Sequence, residues 1–511
     1  MGHSVNNKRI AKNTLYLYLR MLFVMVIGLY TVRAILDILG VVDYGLYNVV
    51  GGVVTMFAFM NKTLSTSSQR YFSIELARGD KERLSKWFCL NITSFGALGL
   101  IIAFFLETVG LWFINTQMTI PENRLIAANV VYQLSIVSFL FHIISVPYLA
   151  LVIAHEKMNV FAYVGVVDAL GRLAIVFVLM MLTYDKLVVY GILVLINSVG
   201  ISMSYIIYCW RHYPESKYSW YWNTCEVKEL FGFSGWHFLG TFSVVCRSQG
   251  INILLNLFFN PAVNAARAVA FQVYGVAHQL VTNFFTAVKP QIYKSYASEM
   301  YEDLYKLINR STMICTFLLS LLVFPLMSNT EMILGWWLKE IPEYAVVFTQ
   351  LVLLNGLVDS LNLPMTAAAL ATGKIRKYEL WLSTITLLNI PISYLVLKLG
   401  APPYAAMLVS IFLASVCVWL RAYLLKGMIQ FPVKPYFSTA LKVLVVTIAM
   451  LVVINWGIRG RVIDLFTFII FSIVIEIVLI GLYALIIGKS DRHLIYDTIK
   501  NKIGGSIYKS K

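Results

Sequence analysis

The chain has 511 residues, of which 59% are hydrophobic and only 13% are charged. With a mean hydropathy of +0.76, it is far more apolar than a soluble globular protein of this length, and that class is excluded. The composition therefore indicates an integral membrane protein. The net charge of +16 comes from 41 basic and 25 acidic residues, and its meaning depends on where the basic residues lie.

A helix needs roughly 20 mainly apolar residues to cross the hydrocarbon core of a membrane. Apolar segments of this length, separated by polar breaks, predict an all-α, polytopic protein with about fourteen transmembrane helices. The predicted ranges, in chain order, are 13–38, 45–66, 87–106, 125–153, 159–183, 187–210, 230–257, 262–287, 308–330, 343–371, 379–398, 404–425, 437–457 and 464–488.

The connection at 211–229 is polar and aromatic and falls between the sixth and seventh predicted spans. Shifting the first half by about 220 residues aligns the loop RYFSIELARGDKERLSK with PQIYKSYASEMYEDLYK, so that Glu82 meets Glu302 and Lys86 meets Lys306. An internal repeat of six spans would give two bundles of the same orientation. The predicted division is an N-terminal six-helix bundle at 1–210, a cytoplasmic linker at 211–229, a C-terminal six-helix bundle at 230–426, and two additional helices with a basic cytoplasmic tail at 427–511.

The basic residues are concentrated in alternate loops. With both termini in the cytoplasm, about 31 of them fall on the inner side, as expected for loops that are not translocated. The net charge is therefore read as a topology signal, reinforced by attraction to anionic lipid headgroups, and no nucleic-acid partner is expected. The six cysteines are scattered without a CxxC pair, which predicts packing residues or cytoplasmic thiols.

Ionisable side chains inside predicted spans need an explanation, because each costs on the order of 2.5 to 3.5 kcal/mol at the bilayer centre. Asp168 and Arg172 lie one helical turn apart, so an internal ion pair and a cavity-facing role are both open. Asp359 lies beside Pro364, which is expected to break the helix, and broken helices at mid-membrane often line sites. Glu476, in the last span, is expected to face a neighbouring helix or to stay protonated.

Arg33 and Arg267 lie toward the outer ends of the first and eighth spans, where an arginine can reach the interface. Arg267 also shares a helix face with Phe271, Tyr274 and His278. Such an aromatic stripe is compatible with helix packing and with a sugar-binding surface.

Arg247 occurs in VVCRSQGINILL, an apolar stretch with no carboxylate within one helical turn. Gly240, Ser243 and Gly250 share its face, so the stripe is small and polar and fits a close helix contact or the wall of a wet cavity. Two roles stay open for the arginine: a pair with a carboxylate of another helix, or an anion site, because guanidinium binds phosphate in a bidentate manner.

Several enzymatic motifs are absent. The sequence has no HExxH, no GxGxxG and no nucleotide-binding P-loop. No set of Ser, His and Asp residues forms a recognisable catalytic arrangement. The expectation is a protein that is not an enzyme, with no catalytic residue, no metal site and no cofactor.

The opening RIAKNTLYLYLRMLFVMVIGLYTVRAILDILGVVDYGLYNVVGGVVTMFAFMNKTLSTSSQRYFSIELARGD resembles that of Wzx-type oligosaccharide flippases. These belong to the multidrug/oligosaccharidyl-lipid/polysaccharide exporter superfamily, which is MATE-like. The stretch LGVVDYGLYNVVGGVV is the most family-like element, and the plan of two bundles plus two helices extends the resemblance along the chain.

The resemblance implies a bacterial inner-membrane flippase that moves polyprenyl-pyrophosphate-linked oligosaccharide from the inner to the outer leaflet by alternating access, for O-antigen, capsule or related polysaccharides. It implies membrane lipids and other polysaccharide assembly proteins as partners. The predicted substrate-binding residues are Arg247, Arg267, Arg33, Arg172, Tyr274 and His278, with Asp168 and Asp359 balancing charge or responding to a coupling H⁺ or Na⁺. The alternative is an ion-coupled multidrug exporter of the same superfamily.

Overall fold

The computed structural model describes residues 2–55, 58–116, 120, 122–182, 184–259, 261–338, 341–453 and 465–486. Almost all of these residues are helical, and none of them lies in a β-strand. The all-α prediction is confirmed. The predicted basic tail, from residue 487 onward, lies outside the described residues.

The helices of the first half of the chain are α1 Gly2–Thr55, α2 Ala58–Arg78, α3 Lys81–Phe105, α4 Leu111–Thr116, α5 Leu125–Ala154, α6 Met158–Met181 and α7 Lys186–His212. Those of the second half are α8 Thr224–Phe258, α9 Pro261–Ala297, α10 Tyr301–Ser328, α11 Thr330–Trp337, α12 Ala345–Ser360, α13 Asn362–Thr372, α14 Arg376–Lys398, α15 Ala405–Ile429, α16 Val433–Val453 and α17 Leu465–Ile486.

Within the described residues, ten helices are long and apolar enough to cross a membrane, or eleven if the bent pair α12 and α13 is one span. The predicted number of about fourteen is not confirmed. One reason is that α1 covers the first predicted span and the start of the second, with a break at Gly40, where φ is 76° and ψ is 167°. Another is that the less apolar α9, which holds the eighth predicted span, is not among the ten.

The bend between α12 and α13 is 40° and occurs at Leu361. Pro364 is the third residue of α13, in the first helical turn, where a missing N–H breaks no hydrogen bond of the helix. The sequence prediction of a broken helix beside Asp359 and Pro364 is confirmed.

The chain forms two compact units. Unit 1 consists of Met1–Phe242, Asn283–Leu304 and Ala367–Ser383, and unit 2 consists of Ser243–Thr282, Tyr305–Thr366 and Thr384–Lys511. The core of unit 1 includes the fully buried rings of Phe72, Phe88 and Tyr132. The core of unit 2 includes Leu255, Phe348 and Ala406. The division into two six-helix bundles and two added helices stays a prediction.

Two turns that lie 220 residues apart in the sequence have the same backbone hydrogen bonds. Asp80 N–H donates to the Glu75 carbonyl, and Met300 N–H donates to the Ser295 carbonyl. One turn later, Leu84 N–H donates to Asp80 and Leu304 N–H donates to Met300. The residue before each of Asp80 and Met300 also has a positive φ angle: 74° at Gly79 and 56° at Glu299. The loops aligned by the sequence shift therefore share one backbone conformation, which supports an internal repeat.

The connection after α7 is fixed to the end of α5. The carboxylate of Glu215 lies 2.9 Å from Nε2 of His155, whose ring stacks on Tyr213 with centroids 4.1 Å apart. The hydrogen bond from His155 lowers the pKa of Glu215 below its ordinary value. This contact holds the first part of the predicted linker against unit 1.

Candidate functional site

A cavity of about 390 Å³ lies inside unit 2. Its walls come from α8, α9, α12, the start of α13, α14 and α15. Its charged lining residues are Arg247 of α8, Arg267 of α9, Asp359 of α12 and Arg421 of α15. Three guanidinium groups and one carboxylate give the lining a formal charge of +2, which favours an anionic occupant.

Arg247 lines this cavity and is half-buried. It forms no hydrogen bond or ion pair with any residue that the structure describes. Of the two roles left open for Arg247, a pair with a carboxylate of another helix is not found among the described residues. A cavity-facing guanidinium without a protein partner keeps its N–H groups for a ligand.

The small residues near Arg247 have a packing role. A Cβ atom on Gly250 would lie 2.6 Å from Cδ1 of Ile390, so the absence of a side chain lets α8 and α14 approach closely. Both interpretations of the small stripe therefore apply: a close helix contact at Gly250, and a cavity wall at Arg247 and Ser248.

The side chain of Arg267, in contrast, is fixed by contacts with other residues of unit 2. It is only 5% exposed. Its guanidinium donates to Oδ1 of Asn252 and, at 3.5 Å, to Oγ of Ser248, and it lies 4.4 Å from the ring centroid of Phe271. A side chain reaching toward the interface would be more exposed than this. Arg267 thus contributes charge to the cavity from a fixed position.

Asp359 pairs with an amide rather than with an arginine. Nδ2 of Asn355, one turn earlier on α12, donates to Oδ2 of Asp359 at 2.8 Å. Among the described side chains, no arginine forms an ion pair with this carboxylate. The positive charge of the three arginines is therefore only partly balanced.

The aromatic stripe predicted on α9 also lines the cavity. The rings of Tyr274 and His278 lie with centroids 5.2 Å apart, and Phe271 is at 6.5 Å from Tyr274 in an edge-to-face arrangement. Tyr274 packs against the backbone of α12, because a Cβ on Gly356 would lie 2.3 Å from its Cε2. The stripe therefore packs between helices and also borders the cavity.

Sequence analysis missed the third arginine. Arg421 donates to Oγ1 of Thr366 at 2.7 Å and lines the same cavity. The signal was present in VCVWLRAYLL, an apolar segment whose arginine has no nearby carboxylate, as in the segment around Arg247. The cavity amides Asn355 and Asn389 were also not singled out, and only the tertiary structure shows that they share a site.

The other predicted site residues lie elsewhere. Asp168 and Arg172 belong to unit 1 and form an ion pair at 3.2 Å, while Nδ2 of Asn197 donates to Oδ1 of Asp168 at 2.8 Å. The side chain of Arg33 lies outside the described residues. Glu476 is half-buried on α17. Within the described ranges, no group of three or more metal-ligating side chains could hold a metal ion.

A profile of the family described as "Polysaccharide biosynthesis protein" matches residues 10–296, more than half of the chain. The chain belongs to this family. No curated protein sequence matches the chain.

Solved structures of MATE transporters share the fold. A MATE crystal structure in the bent conformation aligns with a TM-score of 0.69 and 11% identity, covering 85% of this chain and 97% of that one. An outward-facing multidrug resistance MATE family transporter of the MOP superfamily aligns with a TM-score of 0.67 and 12% identity, covering 82% and 96%.

A third structure comes from Pyrococcus furiosus and is described as a MOP superfamily transporter whose reversed binding-pocket polarity suggests a different function. It aligns with a TM-score of 0.64 and 13% identity, covering 82% of this chain and 96% of that one. These likenesses show that the chain has a MATE-like fold. Together with the ten long apolar helices of the described residues, the fold indicates a multi-pass membrane protein.

Proposed function

We propose that this protein is a flippase that carries polyprenyl-pyrophosphate-linked oligosaccharide from the inner to the outer leaflet of a bacterial inner membrane. The family match supports a role in polysaccharide biosynthesis. The fold of the MATE transporters supports alternating access rather than catalysis. Both termini are proposed to be cytoplasmic, as the basic loops predict.

The observation that carries the proposal is Arg247, whose guanidinium has no partner among the described residues and lines a cavity of formal charge +2. A pyrophosphate has several acceptor oxygens and can receive bidentate hydrogen bonds from such a group. In this proposal Arg247 contacts the pyrophosphate directly, while Arg267 and Arg421 supply positive charge from their fixed positions. Arg33 and Arg172 stay predicted anion contacts.

Tyr274 and His278 are proposed to contact the sugar, because an aromatic wall beside polar groups suits a ring with one apolar face. The amides of Asn355 and Asn389 lie in the same cavity and offer both donors and acceptors. Asp359 in the cavity, and Asp168 in unit 1, are proposed to balance charge or to respond to a coupling H⁺ or Na⁺. Other proteins of polysaccharide assembly are the proposed partners.

The alternative is an ion-coupled multidrug exporter, supported by the fold of the multidrug resistance neighbour. Exporters of organic cations need an acidic pocket, and a cavity of charge +2 opposes a cationic substrate. The description of the Pyrococcus furiosus structure links reversed pocket polarity to a different function for that protein. Pocket polarity is therefore the feature that favours the flippase here.

The test is leaflet transfer in proteoliposomes. A synthetic polyprenyl-pyrophosphate oligosaccharide is placed in one leaflet, and its appearance in the other is followed with an impermeant lectin. We expect transfer to depend on the protein, and the Arg247→Gln variant to be about 10 to 100 times slower, because a hydrogen bond to a charged group contributes about 1.5 to 3 kcal/mol.

The matched control is Lys86→Gln, which removes an exposed cation whose surface ion pair with Glu82 contributes little. It should transfer the lipid at the rate of the unaltered protein. A folded Arg247→Gln variant with full activity would contradict the anion role. Export of a cationic dye without lipid transfer would instead support the multidrug exporter.

A further inference from the structure

The middle of α2 is polar although it lies inside unit 1. Residues 61–70 read NKTLSTSSQR, with Leu64 as the one apolar residue, and all of them except Lys62 are buried. Burying polar side chains costs free energy unless they have hydrogen-bond partners. The partners of this segment therefore indicate what it does.

Three contacts join this part of α2 to the second half of the chain, all within unit 1. Oγ of Ser234 donates to Oγ of Ser67 at 2.8 Å, Nζ of Lys289 donates to Oγ1 of Thr66 at 3.1 Å, and Nε of Arg70 donates to the carbonyl of Ala371 at 3.2 Å. We call this set of contacts the inner seam. It lies where predicted spans end on the side assigned to the cytoplasm.

The two cations of the inner seam have neutral acceptors. Arg70 bonds a backbone carbonyl and lies over the rings of Tyr71 and Phe233, 4.7 and 5.0 Å from their centroids. Lys289 bonds a hydroxyl. Neither forms an ion pair with a described carboxylate, whereas the nearby Lys294 pairs with Glu156.

A hydroxyl group without a partner lies beside these cations. Tyr293 is fully buried, and no described group bonds its Oη. Nζ of Lys289, one turn earlier on α9, is 5.8 Å from the centroid of the Tyr293 ring. Thr66 and Arg70 are likewise one turn apart on α2, so the hydroxyl that Lys289 bonds lies within one helical turn of Arg70. Lys62, one turn before Thr66, adds a further positive charge.

We propose that Arg70, Lys289 and Tyr293 form a second anion site, and that a phosphate or diphosphate bound there releases the inner seam. An anion adds Coulomb attraction between opposite charges to the hydrogen bond, so it is a better acceptor for both cations than a neutral hydroxyl or carbonyl. A ligand shifts a conformational equilibrium only through its different affinity for the two states. In the closed state of the inner seam, the two cations are hydrogen-bonded to protein acceptors. In the open state these bonds are broken, and the cations can bind an anion.

This inference rests on the proposed function only in naming the diphosphate of the lipid-linked substrate as the natural anion. The inner seam then opens when the charged head of the substrate arrives, and it stays shut otherwise. Opening of the inner seam therefore depends on the presence of substrate.

The experiment measures seam opening by cross-linking. Ser67 and Ser234 are both replaced by cysteine in a protein lacking the six native cysteines, since their hydroxyl oxygens are close enough for a disulfide after small adjustment. The rate of disulfide formation under a mild oxidant is measured with and without inorganic pyrophosphate. We expect pyrophosphate to slow cross-linking severalfold, with no such effect in Arg70→Gln or Lys289→Gln backgrounds.

The control pair is Ser138→Cys with Ser198→Cys, whose hydroxyls are 2.7 Å apart and join α5 to α7 within the first half of the chain. Its cross-linking should not respond to pyrophosphate, and normal cross-linking there shows that each variant is folded. An unchanged rate at the inner seam overturns the proposal. So does a pyrophosphate effect that survives both seam substitutions and disappears in Arg247→Gln. No step uses lipid transfer, so failure of the flippase assay leaves this test intact.

Discussion

The three arginines of the unit 2 cavity differ in how many hydrogen bonds they form with the protein. Arg267 is enclosed by Asn252, Ser248 and Phe271, and Arg421 bonds Thr366, so both are tied to the protein. Arg247 has no such partner among the described residues. Because a ligand competes only with existing partners, Arg247 is the group with the most to offer an anion.

A prediction at this scale concerns Gly356, which makes room for Tyr274. Gly356→Ala places a methyl group 2.3 Å from the present position of Cε2 of Tyr274, so the ring must move. Overpacking of this kind typically costs about 1 to 3 kcal/mol. We expect a lower melting temperature in detergent and altered pyrophosphate affinity, measured by calorimetry.

The control for this substitution is Gly275→Ala, since no atom lies within 4 Å of the added methyl group. Gly275 is on the same helix as Tyr274, and alanine is the better helix former by up to about 1 kcal/mol. This variant should be as stable as the original protein or more so. Equal stability of the two variants would refute the packing role of Gly356.

At the scale of single elements, the breaks in helices place the functional groups. The bend at Leu361 allows Asp359 at the end of α12 and Thr366 in α13 to line one cavity. The end of α13 places Gly373, with φ of 74°, against the guanidinium of Arg70. Glycine is needed at position 373 for two reasons: its backbone can adopt a positive φ angle, and the missing side chain leaves space for the guanidinium.

These two reasons can be separated experimentally. Gly373→Ala introduces a methyl 2.3 Å from Nη2 of Arg70, whereas Gly400→Ala, at φ of 88°, meets no atom within 4 Å. Both variants should lose roughly 1 to 2 kcal/mol through the strained backbone. Gly373→Ala alone should also displace Arg70 and slow cross-linking between cysteines at 67 and 234. If both variants cross-link at the same rate, Arg70 does not hold the seam.

For the whole molecule, the predicted internal repeat and the distribution of basic residues are consistent with one another. The turns at Asp80 and Met300 have the same hydrogen bonds, and both occur where the positive-inside rule places cytoplasmic loops. The even number of predicted spans between them would place both turns on the same side of the membrane.

This topology can be tested with a native thiol. Cys225 is exposed, whereas four other cysteines are buried and Cys246 is half-buried. In a variant that retains only Cys225, a membrane-impermeant maleimide should label inside-out vesicles and not right-side-out vesicles. A single cysteine at Glu122, an exposed position on the predicted outer side, should give the opposite pattern. Labelling of Cys225 from outside would reverse the predicted orientation.

The sequence by itself determined the class of the protein, because membrane insertion depends on apolar length and basic loops, and both are local properties of the chain. It also identified Arg247, Arg267 and Asp359 as residues that need an explanation, since a charge in an apolar segment is visible without a structure. The break near Pro364 was predictable because proline cannot donate the backbone hydrogen bond that an uninterrupted helix would need at this position.

Only the tertiary structure decided which of these charges share a site. The cavity is lined by residues of six helices, from Val244 to Arg421. The periodicity within a single helix cannot predict contacts between residues so far apart in the sequence. The structure added Arg421 to the cavity and showed that Asp168 and Arg172 satisfy each other in unit 1. It also revealed the inner seam, because the partners of Thr66 and Arg70 lie more than 200 residues away in the sequence.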